Sequence, residues 1–186
     1  MGQIEQHGWP FDSVGTGFTE EGFPMGDRDG SSADLAGYFS SYIADGIIAA
    51  QGIDAGEDSL KCEIVPDSMM VLVNIGRISV RGRQRRLAEP APLEFPRDAE
   101  GKEYKIILRL DLDGAARNIG LTYTTGPLIR TDKVWDMQLA ALYTVGNAYT
   151  LDGAELMDTR WDAEVCGASR FLGQPARDTV IGGNWG

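Results

Sequence analysis

Apolar residues along this chain follow two different periods, and the switch between them organises the reading. Leu35, Tyr38, Phe39, Tyr42 and Ile43 recur at i, i+3, i+4, i+7 and i+8, the spacing of one helical face. They predict one amphipathic helix over about residues 32–45. Ser31 or Ser32 can cap its start, Asp34 sits at the reaching-back position of a capping box, and Gly46 supplies the stop. A stripe of this kind usually packs on a core.

After Gly46 the period becomes two, which predicts strands. Residues 60–65 alternate up to Pro66, and 69–75 place Val71, Val73 and Ile75 on one face. A short strand, Ile78-Ser79-Val80, lies between Gly76 and Gly82. Residues 89–101 carry Pro90, Pro92 and Pro96 and read as a loop. The clearest strand covers 104–112, with Ile106, Leu108, Leu110 and Leu112 on one side and Lys105, Arg109 and Asp111 on the other. Asp113-Gly114 turns it into a return strand over 118–124. A further strand over 136–145 has apolar odd positions, Met137, Leu139, Ala141, Tyr143 and Val145, against a helical alternative that Met137 to Leu142 also suit. The fold class expected is mainly β: an antiparallel β-sandwich or small barrel with one N-terminal amphipathic helix and an extended N-terminal arm.

The flanks differ in composition. Residues 1–30 are interrupted by Gly and Pro in every turn, so they predict an extended arm. Trp9, Phe11, Phe18 and Phe23 are aromatic anchors in it, either packed on their own domain or docked on a neighbouring subunit. Residues 31–170 form the expected helix-plus-β domain, and 171–186 a polar, Gly-rich tail ending Gly182-Gly183-Asn184-Trp185-Gly186.

Charge and chemistry narrow the function classes. Among 186 residues, 17 are Lys or Arg and 28 are Asp or Glu, a formal net charge of -11 that opposes binding to nucleic acid. The dense basic run Arg81-Gly82-Arg83-Gln84-Arg85-Arg86 reads as a solvated strand end or loop, with a phosphate or acidic partner as the alternative. No run of about 20 apolar residues predicts a membrane span. No signal peptide is visible either, so synthesis in the cytoplasm is expected. Cys62 and Cys166 lack metal-site spacing and read as two buried, inert thiols.

The one histidine, His7, lies in the arm, a poor place to hold a base near a nucleophile, and no GxSxG, P-loop or HExxH pattern occurs. Asp111, Asp113 and Asp152 sit at strand ends or turns, where they suit turn capping better than a paired-carboxylate mechanism. Asp27-Arg28-Asp29-Gly30 resembles half of a calcium loop without the remaining ligands. No catalytic, cofactor or metal residue is therefore assigned, and the chain is not expected to be an enzyme. Asp158 and Arg160, two apart, share a face of an extended segment and read as an architectural clasp. Partner or receptor contact by Arg160 and Trp161 is the alternative, and Trp135 and Trp161 are the aromatics that suit a sugar platform.

Several segments in order carry a resemblance. They are Phe11-Asp12-Ser13-Val14, Gly26-Asp27-Arg28, the aromatic helix 33–43, Asp45-Gly46-Ile47, Leu108-Arg109-Leu110-Asp111, 139–143, Asp158-Thr159-Arg160 and Cys166-Gly167. The set resembles the N-terminal anchoring module of tail and baseplate proteins, receptor-binding proteins and adaptors, from phages and prophages of Gram-positive bacteria. It covers roughly residues 11–170, and no single motif in it is diagnostic. Many such proteins continue into a C-terminal fibre or carbohydrate-binding domain, whereas this sequence ends at Gly186, so an adaptor or attachment module is expected. The resemblance implies a virion structural protein, made in the bacterial cytoplasm and located in the phage tail. Its partners would be other tail or baseplate proteins and its own copies, as a trimer or hexamer in the particle. A host cell-surface glycan is the remaining partner class, without nucleic acid or membrane insertion.

Overall fold

The computed structural model describes residues 32–49, 55–98, 100–114, 118–170 and 172. The expected arm, with Trp9, Phe11, Phe18 and Phe23, lies outside the described residues, as do His7, the 27–30 segment and most of the 171–186 tail.

The described chain is mainly antiparallel β with one short helix, as the periodicity predicts. Helix α1 (Ser32–Tyr42) comes first. A three-stranded sheet follows from β1 (Gly46–Ile47), β4 (Gly76–Val80) and β5 (Arg83–Leu87), in the order β1-β4-β5. A second consists of β2 (Cys62–Ile64), β3 (Met70–Val73) and β6 (Ala91–Glu94), in the order β2-β3-β6. The third and largest holds β7 (Glu103–Asp111), β8 (Ile119–Thr124), β9 (Val134–Tyr143) and β10 (Glu155–Asp158), in the open order β10-β9-β7-β8. One core joins all three. Ile47, Val71, Ile78, Leu108 and Leu139 are fully buried within the same cluster. At about 25 cal/mol per Å² of apolar surface removed from water, such side chains dominate the favourable side of folding.

Local chemistry explains the boundaries. Arg81 and Gly82 join β4 to β5 with Val80 opposite Arg83, and both have positive φ, 51° and 71°. That is the two-residue hairpin geometry whose twist matches the strands. Gly82 is required twice over, because a Cβ there would lie 1.8 Å from the Ala36 carbonyl of α1. Gly46 is not the helix stop expected of it, since α1 ends at Tyr42 and Gly46 opens β1: its φ is 137°, and a Cβ would meet the 167–169 backbone at 2.6 Å. The close approach lets the Ile47 N–H donate to Gly167 O and the Ser169 N–H donate to Ile47 O, both 2.8 Å.

The β7–β8 hairpin follows the predicted alternation, with Leu108 opposite Leu121. Asp111 Oδ1 accepts from the N–H groups of Asp113 and Gly114 at 2.9 and 2.7 Å, which starts the turn.

Three expectations need correction. First, 89–101 is not wholly loop: β6 pairs with β3, and Pro92 sits opposite Leu72. The proline is tolerated because β6 is an edge strand, where a missing N–H costs no ladder bond. Second, the strand expected over 136–145 is present as β9, Val134–Tyr143, but its burial does not follow the apolar alternation. Asp136 to Leu142 are all buried, whereas Tyr143 and Val145 are exposed. The strand is central, and Leu139 forms a bulge, since Ile106 pairs with Ala140 and Ile107 with Gln138. Third, Tyr38, Phe39 and Tyr42 of the helical stripe do not face the core. Among the described side chains of α1, Ala36 is buried, while Tyr38, Phe39 and Tyr42 are 49%, 38% and 52% exposed. The helix ends at Tyr42, and its small side packs on the Gly82 turn.

Candidate functional site

The most elaborate polar constellation in the described residues surrounds Arg160. The residue follows β10 and is only 3% exposed. Its Nε donates to both oxygens of Asp158 at 3.0 and 3.1 Å, and Nη2 donates to Oδ2 at 2.7 Å. Nη1 donates to the carbonyls of Glu57 and Ser59 at 3.0 and 2.7 Å, about a hundred residues away in sequence. The Arg160 N–H also donates to Asp158 Oδ1. A planar fork suits this task, because its donors can satisfy a carboxylate and two carbonyls together. Burial pushes the Asp158 carboxyl up, but the Arg160 contacts outweigh it and hold it below the ordinary range.

The two cysteines lie under the same charge. Both are buried, free thiols. Burial pushes each up to about 12, against an opposing pull from Arg160. Neither is an ionised nucleophile at neutral pH.

This geometry is a clasp, the architectural reading of Asp158-Thr159-Arg160. Arg160 is 3% exposed, and its guanidinium bonds to its own chain. Trp161 differs: the residue is 43% exposed, and the Arg160 guanidinium lies 5.2 Å from its ring centroid. The structure therefore separates the two neighbours, one as brace and one as surface.

A second constellation escaped sequence reasoning. Asp136 on β9 is fully buried and takes Arg109 of β7 in a two-point contact, 2.7 Å from Nε and 2.9 Å from Nη2. Its Oδ2 also accepts from the Ile129 N–H at 2.8 Å. Arg109 is raised by the Asp136 hydrogen bonds. The only sequence signal was an acid inside an otherwise apolar strand, opposite an arginine of the neighbouring strand.

The remaining carboxylate candidates are used locally. Asp111 caps its turn, Asp113 pairs with Lys133 at 3.0 Å, and Asp152 Oδ1 accepts from the Asp67 N–H at 3.2 Å. Among the described residues no group of three or more His, Cys, Asp or Glu side chains could hold a metal ion.

The basic run forms the β4–β5 hairpin, with Arg85 and Arg86 exposed. A cleft of about 610 Å³ opens beside its contact with α1, lined by Ser40, Asp45, Arg81, Arg83 and Asp132 among others. Arg81 donates its N–H to Asp45 Oδ1 at 2.6 Å. Burial raises the Asp45 carboxyl despite that bond. Arg81 and Arg130 lie over the half-buried Trp135 ring, at 4.9 and 5.5 Å from its centroid. The Trp135 indole N–H is buried and has no acceptor among the described residues.

No family model, no curated protein and no solved structure matches the chain.

Proposed function

We propose that this chain is a virion structural protein, an adaptor in the tail tip or baseplate of a phage or prophage of Gram-positive bacteria, and not an enzyme. The reading rests on the ordered segments shared with such modules. The observation that carries it furthest is the use made of Asp158-Thr159-Arg160, their most chemically endowed segment. Its charges tie the end of β10 to residues 57–59 instead of facing a ligand. A subunit that must transmit contacts needs such rigidity more than a reactive pocket. In this reading the β body is the fixed part, residues 1–30 dock on neighbouring subunits, and the particle contains the chain as a trimer or hexamer. Mass spectrometry of purified particles tests it, because an adaptor must be present in fixed ratio to the major tail protein.

One observation favours a second reading, a carbohydrate-binding module for a host receptor. Trp161 presents its ring beside exposed Asp162 and Glu164, the mixture of apolar face and polar rim that sugars require. Under that reading Trp161→Ala abolishes glycan or cell binding with an unchanged melting curve. Retained binding in a pull-down on host cells removes Trp161 from the argument.

A further inference from the structure

The largest sheet is open, and β8 is one of its two edges. Every other strand at a sheet edge among the described residues is blunted. β1 is bonded along its outer side to residues 167–169, β2 holds Glu63, β5 is rich in arginine, β6 holds Pro92 and β10 holds Glu155. Charges, prolines and covering segments are the devices that keep sheet edges from pairing. β8, Ile-Gly-Leu-Thr-Tyr-Thr, carries no charge and no proline.

Its ladder fixes which groups face outward. The Asp111 N–H donates to Asn118 O at 3.0 Å, one step beyond the Leu110–Ile119 pair. Hydrogen-bonded positions alternate along an antiparallel ladder, so Gly120, Thr122 and Thr124 bond to β7. Ile119, Leu121 and Tyr123 therefore direct N–H and C=O to the outer side, where no hydrogen bond reaches them among the described residues. The same residues turn their side chains to the core, and Leu121 and Tyr123 are only partly buried there. The edge thus suits a strand with apolar residues at alternate positions and nothing charged between them, and β8 is itself such a strand. We propose that β8 pairs antiparallel with β8 of a second copy, about a twofold axis at Leu121. In that register Leu121 meets its own counterpart and Ile119 meets Tyr123, so every outward N–H and C=O finds a partner. Gly120 meets Thr122 on the other face, and the partly exposed Leu121 and Tyr123 gain apolar neighbours. A chain of net charge -11 repels its own copies, and an edge without acids is where two of them meet at least cost. The inference goes beyond the tail reading and does not depend on it. In a particle the pairing selects the hexamer, as three pairs, over a trimer of single copies.

The test uses the full-length protein, sedimentation over a range of concentration, and amide exchange. Wild type forms a dimer. Gly120→Lys/Thr122→Lys sets lysine opposite lysine at the seam and weakens the dimer by about tenfold or more. The site has room, since a Cβ at Gly120 lies no closer than 3.9 Å to Asn118 Oδ1. Gly120→Glu/Thr122→Glu acts in the same way, and mixing the two variants restores a heterodimer, because lysine then meets glutamate. Amide exchange on the wild type needs no substitution and serves even where a variant melts early. In the dimer the Ile119, Leu121 and Tyr123 amides are protected. On dilution they open, while those of Gly120, Thr122 and Thr124 stay protected. A wild-type monomer at every concentration overturns the proposal. So does a dimer that the lysines leave intact, or a mixture of variants that stays monomeric. Outward amides that exchange fast in the dimer contradict it too, since the copies then meet through another surface. Outward amides protected in a monomer do the same, since a segment of the chain itself then covers the edge. None of these results bears on whether particles contain the chain.

Discussion

At position 160 a guanidinium serves one carboxylate and two carbonyls at once, and Ser59, whose carbonyl it reaches, is fully buried. Arg160→Met strands those acceptors. The cost expected is about 3 kcal/mol, below the full penalty for a buried pair because the Asp158 side chain is half exposed. Urea unfolding measures it, and Arg160→Lys recovers little, since one ammonium cannot span the three partners. The pH dependence follows from Asp158. Its folded carboxyl lies below the ordinary value, so its stabilisation is complete above the unfolded value, about 4, and is lost as pH falls through the folded one. The stability gap between wild type and Asp158→Asn is therefore level from neutral pH to about 5 and closes at more acid pH. A gap that widens on acidification contradicts this assignment. Asp158-Thr159-Arg160 was legible in the sequence because a clasp needs only two charges at i and i+2. The Arg109–Asp136 pair was not, because nothing local links residue 109 to residue 136.

Among the elements, the β4–β5 turn bears the sharpest consequence. Gly82→Ala places a methyl in a left-handed conformation and against the Ala36 carbonyl, and costs about 2 kcal/mol or more. α1 rests on that turn, so its amides lose hydrogen-exchange protection before the sheets do. Protection lost uniformly across the chain argues against a separable helix. Strands with one face on the core were legible by their alternation, as in β7 and β8. β9 was legible as a strand, but its burial on both faces was not, because a central strand also buries even positions such as Asp136, Gln138 and Leu142. β6 was missed because Pro92, with Pro90 and Pro96 on either side of the strand, spells a loop until an edge position makes it acceptable. The helix was found by its stripe, but the stripe's destination is decided by tertiary contacts that periodicity does not encode.

For the described residues as a whole, three open antiparallel sheets share one core, and half-buried ion pairs brace the residues around β9 and β10. The conspicuous surface features are an aromatic helix face, an exposed Trp161 and a basic hairpin on an acidic body. That division suits a scaffold that is held by neighbours. Mass spectrometry of purified particles from the strain that encodes the chain tests this most directly. The account predicts the chain in a fixed, small-integer multiple of threefold or sixfold symmetry relative to the major tail protein. A chain absent from particles and free in the lysate contradicts the tail assignment and makes glycan binding by Trp161 the leading function.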